Sequence, residues 1–118
     1  MKLIRSKAEK DYREQLIRSH KSLFEDEEKR RVLLALREYY PGMKSAYTID
    51  WIPEQGEDIY RILVNANLVA TVEVDRLDND SQPFIEDISL DQYQRKLSKS
   101  DRIKLAVAID LAKSSEAD

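Results

Sequence analysis

The stretch Tyr47–Arg76, YTIDWIPEQGEDIYRILVNANLVATVEVDR, decides the architecture. In its last third Leu68, Ala70, Val72 and Val74 alternate with Val69, Thr71, Glu73 and Asp75, the two-residue period of a strand. A three-residue loop at Asn65-Ala66-Asn67 sets Val64 opposite Leu68, Ile62 opposite Ala70 and Tyr60 opposite Val72, apolar against apolar. A two-residue loop would slip the register by one and put the faces out of phase. Upstream, Tyr47, Ile49 and Trp51 alternate with Thr48, Asp50 and Ile52. A four-residue loop at Glu54-Gln55-Gly56-Glu57 then sets Trp51 opposite Tyr60, Ile49 opposite Ile62 and Tyr47 opposite Val64. Both loops agree on one inner face, so an antiparallel meander of three strands is predicted over 47–76.

The same register gives the outer face Thr48, Leu63 and Val69, then Asp50, Arg61 and Thr71, then Ile52, Ile59 and Glu73. Asp50 and Arg61 become cross-strand neighbours, an ion pair worth about 0.5 kcal/mol if exposed. Ile52, Ile59, Leu63 and Val69 are too many aliphatics for chance scatter, and contiguous apolar patches bury something. Either the N-terminal helices cover them, with Tyr12, Leu16 and Ile17 as the lid, or a partner does. Burial of both Ile59 and Leu63 would remove the sheet face as an interaction site.

Helices flank the meander. Ser6 with Glu9 and Ser22 with Glu25 fit the capping box, predicting helices over about 6–21 and 23–40; whether 6–40 is one bent helix or two is open. Val32, Leu33, Leu36, Tyr39 and Tyr40 recur at helical spacing, and Pro41-Gly42 ends the run. After a polar loop over 77–88, in which Phe84, Ile85 and Ile88 can form a short fourth strand or a packed loop, Ser89 with Gln92 caps a short helix. Ser98 or Ser100 caps a last one, over about 101–113. That helix is apolar nearly all round and should be buried, and the tail 114–118 should fray. The reading is one α+β domain over 1–118: a three-stranded antiparallel meander, with room for a fourth strand, between N-terminal and C-terminal helices.

Composition narrows the chemistry. The 118 residues are 42% apolar and 36% charged, with no cysteine, which excludes a disulfide scaffold, a thiol nucleophile and a Cys-bearing zinc site. No window approaches the ~18 apolar residues of a membrane span, and no signal peptide is apparent, so a soluble, cytoplasmic chain without membrane partners is expected. Gly42 and Gly56 are the only glycines, which excludes phosphate-cradling loops. His20 is the single histidine and reads as an ordinary helix-surface residue. A calcium loop starting at Asp78 fails, because its sixth and twelfth places are Pro83 and Ser89 rather than Gly and Glu. No catalytic residue, cofactor or metal site is expected, and the chain reads as a non-enzyme.

The net charge of −3 hides a segregation: residues 1–21 carry +4, residues 48–91 carry −9 and residues 92–118 carry +2. Local potential steers encounter more than total charge does. The function expected is therefore a small protein-interaction module, of regulator or inhibitor type, presenting an acidic sheet region to a basic protein. Its binding residues would be Asp50, Trp51, Ile52, Glu54, Glu57, Asp58, Ile59, Arg61, Glu73 and Asp75. A homo-oligomer through the N-terminal helix or the sheet face is also open to it. The alternative is a nucleic-acid-associated protein that binds phosphates through the basic segments 5–21 and 95–104. Against it stands the apolar character of the last helix, which a groove-reading helix cannot have.

Overall fold

The computed structural model describes residues 6–116. Ser6 opens the first helix, its hydroxyl accepting the Glu9 N–H at 3.2 Å. α1 runs Lys7–Glu25 and buries Leu16 and Leu23, two turns apart on one stripe. The break that follows falls at Asp26 and not at Ser22. The Ser22 hydroxyl donates to the Asp26 carboxylate at 2.6 Å, and the Asp26 N–H closes the last turn on the Ser22 carbonyl. The expected second helix over 23–40 is thus corrected to a 3-10 turn at Glu27–Lys29 and α2 at Arg30–Tyr39. Tyr40 leaves the helical region ahead of Pro41, because proline disfavours the α conformation in the residue before it.

Four strands, β1 (Ala46–Glu54), β2 (Glu57–Val64), β3 (Leu68–Asp75) and β4 (Phe84–Ser89), form one antiparallel sheet in that order. The β2–β3 register is the one predicted, with Val64 opposite Leu68 and Tyr60 opposite Val72. Of the two readings open for Phe84–Ile88 the strand is the one adopted: β4 pairs along β3.

β1 departs from expectation in two ways. Glu54 pairs with Glu57, which tightens the turn to Gln55-Gly56, with Gly56 at φ +85°, a conformation glycine adopts without steric cost. A bulge then interrupts the ladder between Thr48 and Asp50, so that Thr48 pairs with Ile62 and Tyr47 with Leu63. The expected Ile49–Ile62 and Tyr47–Val64 pairs do not form. One extra residue reverses the facing of everything upstream, and Tyr47 and Ile49 join Leu16, Leu63 and Val69 instead of Tyr60 and Ile62.

Both faces of the sheet are packed. On one, Tyr60, Ile62, Val64, Ala70 and Val72 meet Leu33 and Leu36 of α2 and Leu23 of α1. On the other, Tyr47, Ile49, Leu63 and Val69 meet Leu16 of α1 and Leu105, Val107 and Ala108 near the C-terminus. Each fully buried leucine contributes roughly 2–3 kcal/mol. The last two helices, α3 (Leu90–Gln94) and α4 (Lys99–Glu116), follow Ser89 and Ser98, whose hydroxyls each accept an N–H three residues on at 3.2 Å. α4 continues to Glu116, past the end near 113 expected for it; residues 117–118 lie outside the described residues. Of the expected lid, Leu16 is fully buried but Ile17 is 50% exposed, because consecutive helix positions point about 100° apart. Among the described residues no helix is long and apolar enough to cross a membrane.

Candidate functional site

Direct cross-strand partners share a face of a sheet, so the register sorts the ten residues singled out above. All but Trp51 and Asp58 fall on the side that α4 packs against, toward the β1–β2 turn. They form three successive rows. Asp50 and Arg61 lie in line with Thr71 and Glu86; Ile52 and Ile59 lie in line with Glu73 and Phe84; Glu54, Glu57 and Asp75 form the last row.

Helices bury the next row inward. Leu63 is fully buried and Val69 is 1% exposed, so this middle part of the sheet is no interaction site. Ile59 is only half-buried, and neither Ile52 nor Ile59 joins a core cluster. The interaction face expected from the sequence therefore contracts to an uncovered shelf at the end of the sheet. Its apolar floor is Ile52, Ile59 and the 54%-exposed Phe84, a residue that sequence reasoning missed because its row depends on the register of β4.

Several of the carboxylates are already engaged. Asp50 pairs with Arg61 at 3.5 Å. The Asp75 carboxylate accepts the Leu77 N–H at 2.8 Å, capping the chain where it leaves β3. Glu54, Glu57 and Glu73 make no ion pair among the described residues. Glu54 is opposite Glu57, and Glu57 is opposite Asp75. Like charges set directly across a sheet are destabilising, so this row concentrates negative potential at a cost to the fold.

On the reverse side Trp51 is 55% exposed, and its Nε1–H donates to Asp58 at 3.1 Å. The same Asp58 oxygen accepts from Arg76 at 2.7 Å, and Arg76 also donates to the Glu54 carbonyl. Asp58 is therefore a neutralised structural carboxylate and not part of the acidic shelf.

At the inner border of the shelf the bulge turns Ile49 and Asp50 toward one small hollow with Tyr93, Leu97, Asp101 and Lys104. Burial holds the Lys104 ammonium below its ordinary pKa while Asp50 and Asp101 oppose that shift. Burial, with the Asp50 charge behind it, raises the Tyr93 phenol. The hollow of about 40 Å³ has room for a water and not for a substrate. Among the described residues no group of three or more histidine, aspartate and glutamate side chains is placed to hold a metal ion.

The basic segments of the nucleic-acid alternative fall on α1 and around the start of α4; Arg5 lies outside the described residues. Within them Arg13 is paired to Asp110 at 2.9 Å and Lys104 is half-buried. The chain matches no protein-family model, and no curated protein or solved structure is significantly similar to it.

Proposed function

We propose that the chain is a non-enzymatic cytoplasmic interaction module whose shelf receives a basic protein. The observation that carries this reading is the row Glu54–Glu57–Asp75 beside the apolar row Ile52–Ile59–Phe84. Cationic side chains of a partner would relieve the carboxylate repulsion, and the aliphatic floor would supply the desolvated anchor that interface energetics demand. A second copy fits less well. Antiparallel pairing of two β4 edges, centred at Glu86 or at Asp87, would set that carboxylate against its own copy, the arrangement by which edge strands resist self-association.

The test is affinity capture from native lysate with and without nuclease, using the wild type and a Glu57→Lys/Glu73→Lys variant. The variant should keep its circular dichroism spectrum and melting curve and lose the partner. Unchanged capture overturns the reading. Capture that vanishes on nuclease treatment, with retention of the chain on heparin at moderate salt, favours the nucleic-acid alternative.

A further inference from the structure

α4 is apolar on most of its circumference, yet the sheet and α1 cover only part of it. Leu105, Val107, Ala108 and Ala112 are buried, while Ala106 and Ile109 stay partly open. With the edge of Leu105 they floor a groove of about 670 Å³ between α3 and α4. Its rim carries Arg95 from the end of α3 and Arg102 and Lys113 from α4. All three are exposed, and none has a carboxylate partner among the described residues. Asp91 is the one acidic residue in the lining, so the groove is net cationic in an acidic protein.

We propose that this groove docks an acidic amphipathic helix from a partner protein. Arg102, Leu105, Ala106, Ile109 and Lys113 recur at helical spacing and lie on one stripe. Arg102 to Lys113 spans about 16 Å of helix, so the occupant has about three turns to lay against it. The small Ala106 leaves space for an aliphatic or aromatic knob of the incoming helix. The cations at the two ends and along the α3 side match Asp or Glu flanking such an apolar face, the pattern of helix-in-groove recognition. Local charge sets which segment can enter, because a lysine-flanked helix meets repulsion at Arg95, Arg102 and Lys113. The groove and the shelf have opposite sign, so this site stands or falls independently of the basic partner above.

The probe is a fluorescein-labelled peptide of about 14 residues, helical by design, with leucines along one face and glutamates flanking them. Its counterpart has lysines in place of the glutamates. With the full chain, anisotropy should show binding of the glutamate peptide and at least about tenfold weaker binding of the lysine peptide. Arg102→Glu, a change at an exposed position, should weaken the glutamate peptide by about tenfold, as should Ile109→Asp. Glu57→Lys/Glu73→Lys should leave that affinity unchanged, and amide shifts should map to Ala106 and Ile109. Equal affinity for the two peptides, or indifference to Arg102→Glu, overturns the proposal. So does a chain that captures phosphatidylserine vesicles or duplex DNA and ignores the peptide.

Discussion

Arg76 reaches back from the end of β3 to Asp58 in β2, with 2.7 Å between guanidinium and carboxylate. The Asp58 side chain is 14% exposed against 42% for Arg76, so the acid is the sheltered member. It also holds the Trp51 indole, while Arg76 donates to the Glu54 backbone. One side chain thus ties three strands together just where Glu54, Glu57 and Asp75 push apart. Asp58→Ala should cost about 1–2 kcal/mol in urea unfolding followed by Trp51 fluorescence. In a double-mutant cycle with Arg76→Ala the coupling should be about 1 kcal/mol, kept small by the exposure of Arg76. Strict additivity of the two losses would show that the pair does not clasp the hairpin.

Arg31 performs a related task from α2. Its guanidinium donates to the carbonyls of Asp75 at 3.0 Å, Asp78 at 3.2 Å and Ser81 at 2.8 Å, gathering the β3–β4 loop around one fork. A lysine ammonium cannot reproduce that planar geometry. Arg31→Lys should therefore behave like Arg31→Met, and trypsin should cut after Arg76 about tenfold faster in both, the equivalent of about 1.4 kcal/mol of easier local opening. Wild-type cleavage rates in Arg31→Lys would mean that charge alone organises the loop.

Asn65 sits at φ +53° in the β2–β3 turn. Its Oδ1 accepts the N–H groups of Lys44 at 2.8 Å and Ser45 at 3.2 Å, fastening the turn to the entry of β1. Asparagine tolerates the left-handed region, and its amide mimics a backbone acceptor. Asn65→Gly keeps the conformation and loses the acceptor; Asn65→Ala loses both. The expected losses in thermal or urea unfolding are about 1 kcal/mol for glycine and about 2 kcal/mol or more for alanine. An alanine variant no worse than the glycine variant would show that the backbone conformation carries no cost.

The parts of this fold legible in the sequence are those in which alternation and loop length agree. Tyr60, Ile62 and Val64 against Leu68, Ala70 and Val72 leave one consistent register, and the sheet adopts it. The bulge at Ile49 was not legible because Tyr47, Ile49 and Trp51 alternate as cleanly as a regular strand does; only the two-sided core reveals that the first two belong with Leu63. Ser22 matched a capping pattern, but its hydroxyl bonds the Asp26 carboxylate four residues on, and the helix runs through it to end there. For the shelf, residue types and charge were legible, whereas separating Asp58 from the free carboxylates required knowing that Arg76 folds back on it. Helix periodicity likewise marked α4 as apolar without saying which part of its circumference would stay open.

His20 links the titration of the chain to its packing. The imidazole stacks on Phe24 with centroids 4.6 Å apart and lies 4.9 Å from the Tyr47 ring, and burial pushes its pKa below the ordinary 6.5. A folded-state pKa below the unfolded one means that the unfolded chain takes up its proton first. The contribution to stability is then complete above pH 6.5 and falls away as the pH drops through the folded pKa. His20→Phe preserves an aromatic ring between Phe24 and Tyr47 and removes the titration. Urea midpoints measured at about pH 7.5 and about pH 5 should therefore fall further for the wild type than for the variant, since every other ionisable group is common to both. Parallel pH profiles would show that protonation of His20 is not coupled to folding, and that the stacked ring contributes through packing alone.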